Sequence, residues 1–144
     1  MPSTTETAVL PHNAPLVSRS RRWTGFVITG LISAFMLLDA AMKFAAPKPV
    51  ADAFVRTGWP IDLSVTLGAI LLTSTVLYLI PRTAILGAIL LTGYLGGAVA
   101  TNLRLHNPWF SHTLFPVYFG ILVWGALWLR DPHIAGLIPV RKSR

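Results

Sequence analysis

Asp39 and Lys43 stand four residues apart inside an otherwise apolar stretch. That spacing places both on one helix face, acid first, the order in which a carboxylate and an ammonium pair best. A charged pair in such surroundings either pins helices together or handles a ligand or a proton. Helix counting brings Asp62, Ser64, Thr66, Thr101, Asn102, Arg104, His112 and Tyr118 to the same half of the molecule. Tyr94 falls ~16 Å into its helix, where a phenol needs a polar partner. Asp39, Lys43, Asn102, Arg104, Tyr118 and Tyr94 are therefore the candidate ligand-pocket residues. The opposite halves of the same helices are almost purely apolar, so a pocket would open toward the polar side. His106 and His112 are six residues apart in a stretch containing Pro108, and nothing completes a metal-ligand set with them. No metal site is expected.

The chain has no cysteine. Structural disulfides, thiolate catalysis, and Cys-ligated zinc or iron–sulfur clusters are excluded from this chain alone. No phosphate-binding glycine loop, nucleophile elbow or paired-carboxylate motif is present. Catalysis by the chain on its own is not expected.

The elements that must position these groups are read from composition and punctuation. Of 144 residues, 53% are hydrophobic and only 12% charged, against roughly 25% charged in soluble domains. Mean hydropathy is +0.62. A chain this small has no interior to hide so much apolar surface, which makes lipid the economical solvent. The net charge of +7 does not indicate nucleic acid, because the basic residues flank apolar runs.

Residues 1–22 read as a disordered, basic tail. An apolar stretch from Trp23 to about Ala46 is too long for the core of a signal peptide and forms a first membrane helix. At ~1.5 Å per residue, Asp39 lies ~24 Å along it and Lys43 ~30 Å, within snorkelling reach of the far interface. Residues 47–61 form a connector in which Val50, Phe54 and Val55 make a short apolar face on the membrane surface, with Trp59 at headgroup level. Asp62 or Ser64 caps a second, uncharged helix over Leu63–Ile80. Its Thr73, Ser74 and Thr75 lie near the midplane and bond back to their own helix carbonyls. Pro81 and Arg82 end it, and Thr83 caps a third helix over Thr83–Leu103. Gly93 and Gly97, with Gly96 and Ala100, give this helix a smooth strip on which another helix should pack. A loop, Arg104–His112, leads to a fourth helix over Thr113–Leu129, with Pro116 in its first turn and Trp124 and Trp128 as an interfacial belt. Residues 132–144 form a second basic tail.

Eight basic residues (Arg19, Arg21, Arg22, Arg82, Arg130, Arg141, Lys142, Arg144) fall on one side and four (Lys43, Lys48, Arg56, Arg104) on the other. This asymmetry places both termini in the cytoplasm. The expected fold is all-α, an integral membrane up-and-down four-helix bundle spanning residues 23–131.

LYLIPRTAILGAILLTGYLGGAVATNLR (77–104) followed by NPWFSHTLFPVYFGILVWGALWLRD (107–131) closely resembles the DoxX-like branch of the DoxX family, as do LLDAAMKFAAPKPV (37–50), GWP (58–60) and LG (67–68). The resemblance covers residues 23–140. It implies a small four-helix protein of a bacterial-type cytoplasmic (inner) membrane. The founding members are described as a membrane subunit of a thiosulfate:quinone oxidoreductase, so the resemblance implies quinone as a cofactor and a redox protein as partner. In the family the second helix commonly reads L-G-x-x-E-L and the third commonly ends A-T-H; this chain has Leu71 and Asn102 at those places.

Three readings follow. The first is an accessory membrane subunit of a quinone-linked redox system. The second is a homo-oligomeric transporter of a small solute, and the third a structural scaffold whose ion pairs only hold helices. In each the bilayer is the surroundings and nucleic acid is no partner.

Overall fold

The structure, a computed structural model, describes residues 19–131 and 134. The two tails, including Arg141, Lys142 and Arg144, otherwise lie outside them. Among the described residues all regular structure is helical: α1 (Arg19–Ala45), α2 (Lys48–Thr57), α3 (Leu63–Leu79), α4 (Ala84–Arg104), a π-helical turn (Trp109–Thr113) and α5 (Phe115–Arg130). Among the described residues three segments are long and apolar enough to cross a membrane: Arg19–Ala45, Ala84–Arg104 and Trp109–Arg130. α3 is equally apolar but has 17 residues.

The burial pattern is that of a protein solvated by lipid. α1 turns Gly25, Thr29, Ile32, Ser33, Met36 and Ala40 inward, while Phe26, Leu31 and Leu38 face outward. Small residues make up most of the inward face and large apolar ones are common outside, because helices in lipid associate through close approach, not through apolar burial. α1, α3, α4 and α5 close a ring in which each packs on the next and α5 returns to α1.

Three of the four contacts in that ring are built on a glycine. A Cβ on Gly25 of α1 would stand 3.0 Å from the Ala126 carbonyl oxygen of α5. One on Gly68 of α3 would stand 3.1 Å from Lys43 Cβ of α1. On Gly87 of α4 it would lie 2.2 Å from the backbone nitrogen of Tyr78 in α3. The Gly93–Gly97 strip plays no such part within the chain. A Cβ on Gly93, Gly96 or Gly97 would meet nothing within 4 Å, so the smooth face expected to receive a neighbouring helix meets none here.

Helix ends also depart from expectation. Neither Asp62 nor Thr83 makes a side-chain cap. Ser64 Oγ instead donates to the Lys43 carbonyl at 2.6 Å, tying α3 to α1. Thr83 Oγ1 donates to the Leu77 carbonyl at 2.8 Å and closes the turn around Pro81. Ser74 and Thr75 bond back to Ile70 and Leu71 carbonyls, as their midplane position requires. Among the described residues α1 begins at Arg19, so Arg19, Arg21 and Arg22 are helical.

α2 is a ten-residue helix, and its apolar face points the other way from the one expected. Phe54 is buried against the bundle while Val55 is 77% exposed. The helix ends at Gly58, whose φ of +67° suits glycine. Gly58 N–H donates to the Val55 carbonyl and Trp59 N–H to the Phe54 carbonyl. At the opposite end of the bundle, Tyr78 is fully buried and its hydroxyl donates to the Val123 carbonyl at 2.9 Å. Arg130 lies over the same ring and donates to the Tyr78 carbonyl. Tyr78→Phe should cost about 1 kcal/mol, measured by thermal unfolding in detergent, because it leaves a buried carbonyl without its donor.

Candidate functional site

α1 and α4 bring four of the six candidate residues together. Lys43 Nζ donates to both oxygens of Asp39, at 2.6 and 2.7 Å, and the Lys43 side chain is only 15% exposed. Tyr94, half-buried on α4, faces both members of this pair through its phenol. Asn102, two helical turns further along α4, donates through Nδ2 to the Ala98 carbonyl and accepts from Asn107 Nδ2 at 2.7 Å. These groups line a cavity of about 290 Å³ between α1, α4 and the start of α5. The pair is thus closed on itself, while the phenol and the amide keep hydrogen-bonding capacity toward the space.

The far wall of this cavity is aromatic. Phe35, Phe115 and Phe119 form a cluster with ring centroids 4.7, 4.9 and 6.1 Å apart. None of the three was a candidate. Phe35 precedes Asp39 by four residues, and Phe115 precedes Phe119 by four, so one-face spacing was the signal that pointed to them. An ion pair on one side and aromatic faces on the other can hold a small ring that carries an oxygen acceptor.

Arg104 and Tyr118 do not line the cavity. Arg104 reaches sideways to donate to the Thr57 carbonyl and so fastens the end of α2 to the end of α4. Arg104→Ala should raise amide hydrogen exchange and protease sensitivity in residues 48–58 while leaving the melting temperature nearly unchanged, since exposed single contacts contribute little. Tyr118 is 44% exposed and faces outward. Sequence counting set Tyr118 by its depth along the helix, and depth does not say which side of α5 a residue takes. Of the histidines, His112 lines the cavity and its Nδ1 lies 2.8 Å from Ser111 Oγ. His106 is exposed, with a φ of 52°. Among the described residues no three His, Cys, Asp or Glu side chains come together as a metal-ligand group.

The Trp124 indole N–H donates to Thr92 Oγ1 at 3.0 Å, joining α5 to α4. Trp128 does sit at the basic end, where Arg21 stacks on it at 4.0 Å and donates to its carbonyl.

The architecture therefore consists of a glycine-packed ring of apolar helices with one polar cluster held on α1 and α4. Comparison with known families finds a match to the DoxX-like family over residues 27–126. The chain belongs to the DoxX-like family. No match was found among curated proteins or among solved structures. This DoxX-like protein is a small multi-pass membrane protein. Its Leu71 is fully buried in the apolar core. Asp39 and Lys43 are thus the charged pair set between α1 and α4, and the core beside them buries Leu71 and Leu91 together with the hydroxyls of Ser33, Ser74, Thr75 and Tyr78.

Proposed function

We propose that this DoxX-like protein is an accessory membrane subunit of a quinone-linked redox system, and that the Asp39–Lys43 cluster contributes a headgroup site and not a catalytic centre. In this reading all four apolar helices cross a bacterial-type cytoplasmic membrane as an up-and-down bundle. α3 is the shortest crossing, and both termini are cytoplasmic. In support, Arg19, Arg21, Arg22, Arg82 and Arg130 collect at one end of the apolar segments, the distribution that sets topology. The observation that carries the ligand reading is the nearly buried Lys43, bonded to Asp39 beside Tyr94 and facing three phenylalanine rings across open space. A purely structural ion pair needs neither the aromatic wall nor the space.

The test is the lipid extract of full-length protein purified in mild detergent. Wild-type protein should retain quinone detectable by mass spectrometry, and Asp39→Ala/Lys43→Met protein should retain none. Wild-type preparations that repeatedly contain no quinone and capture no redox partner would refute the reading.

A further inference from the structure

Beneath α2 lies a second cavity, of about 480 Å³, that the headgroup site leaves unexplained. Its roof is Phe54 and Trp59, and its floor is α4 along Gly93 and Gly97. Lys43, Tyr94, Ala98 and Asn102 line this cavity and the first one alike, so the two spaces share one polar wall. A Cβ on either floor glycine would meet nothing, which makes their missing side chains the reason that the space exists.

The lining specifies the chemistry of an occupant. Lys43 and Asp39 already neutralise each other, so an ionised ligand would have to break a half-buried pair, whereas a neutral one need not. The Tyr94 hydroxyl and the second N–H of Asn102 remain donors on the shared wall, and both call for an acceptor oxygen. Away from that wall the lining is mainly apolar, with Phe54, Leu67 and Ile70, and the hydroxyls of Thr57 and Thr101 are spent on carbonyls of their own helices. Water gains too few partners there to fill it, whereas an alkyl chain fits such a lining. The roof also allows entry. α2 packs closely on no other helix, is joined at Ala46 and Gly58, both in the left-handed region, and is fastened by the Arg104 bond to Thr57.

We infer that the cavity under α2 holds the apolar body of a neutral, chain-bearing amphiphile whose oxygen is bound by Tyr94 and Asn102. This rests on the reading of the Lys43 cluster as a ligand site and adds to it the class of ligand, a lipid-soluble molecule with a chain, and the positions that select it, Gly93 and Gly97.

The experiment titrates full-length protein in detergent with two probes, a decyl-substituted benzoquinone and monodecanoylglycerol, followed by native mass spectrometry. Wild type and Gly30→Leu, a control on the exposed face of α1, should bind both probes. Gly97→Leu should bind them about tenfold more weakly, the scale on which filling an apolar pocket discriminates, with an unchanged melting temperature. If Gly97→Leu fails to fold, Gly93→Ala/Gly97→Ala takes its place and should show a several-fold loss. Binding of monodecanoylglycerol without the quinone, still lost in Gly97→Leu, upholds the cavity and removes the quinone. Undiminished binding by the glycine variants overturns the inference, even where quinone co-purifies with the wild type. Equal loss in Gly30→Leu overturns it as well.

Discussion

Gly87→Ala should leave little or no folded protein, whereas Gly97→Ala should be tolerated. A Cβ on Gly87 would lie 2.2 Å from the nitrogen and 2.5 Å from the Cα of Tyr78, and 2.7 Å from the carbonyl carbon of Leu77. All three are backbone atoms, so no rotamer change relieves the overlap. α3 and α4 would have to separate, and Tyr78 anchors more than that one contact, with its hydroxyl on Val123 and its ring under Arg130. A cost of about 3–5 kcal/mol is expected, at the upper end of what overpacking and the loss of a buried network produce. At Gly97 the added methyl meets nothing, and the higher helix propensity of alanine leaves stability unchanged or raises it by up to about 1 kcal/mol. Monodispersity on gel filtration and thermal unfolding in detergent measure both. Equal sensitivity at the two positions would show that the α3–α4 contact is not where this description puts it.

Lys43→Met should be damaging alone and form one half of a non-additive pair. Removing the ammonium leaves Asp39 without its counter-charge in apolar surroundings. Breaking a fully buried pair costs about 3–5 kcal/mol, and because the Asp39 side chain is 38% exposed, about 2 kcal/mol is the fitting expectation. Asp39→Asn/Lys43→Met should recover most of that loss, since no charge is then stranded. A double-mutant cycle in detergent reads the coupling directly. Single and double variants of equal stability would mean that the two groups do not depend on each other.

The same two sites show what could be read from the order of residues. The Asp39–Lys43 bond was legible because four-residue spacing is a property of one helix and needs no neighbour. The spans were legible for the same reason: apolar runs end where Pro81, Arg82 and the Arg130–Asp131 pair stand. The glycines were not. Gly93 and Gly97 announce a smooth face, but spacing cannot say what lies opposite, and here it is open space. Gly87 carries no spacing signature, and its role depends on how the turn at Pro81 returns α4 onto Tyr78. Arg104 was assigned to the pocket by depth alone, whereas its reach is decided by the Thr57 carbonyl that α2 happens to present. Val50, Phe54 and Val55 were grouped on one face, but helix neighbours stand about 100° apart, and here Phe54 turns inward while Val55 turns out.

The 17 residues of α3 have a mechanical consequence for the membrane itself. They rise about 26 Å, short of the ~30 Å that lipid tails occupy, while α1, with 27 residues, overshoots that thickness. The two helices are packed side by side, so tilt cannot suit both. With α3 crossing the bilayer, as proposed above, the sheet of lipid is pinched next to α3 and full-depth next to α1, and the pinch falls on the flank where α2 lies over the bundle. Lipid thickness thereby becomes a variable acting on this protein: a thin bilayer relaxes the mismatch at α3 and a thick one presses lipid tails against α2.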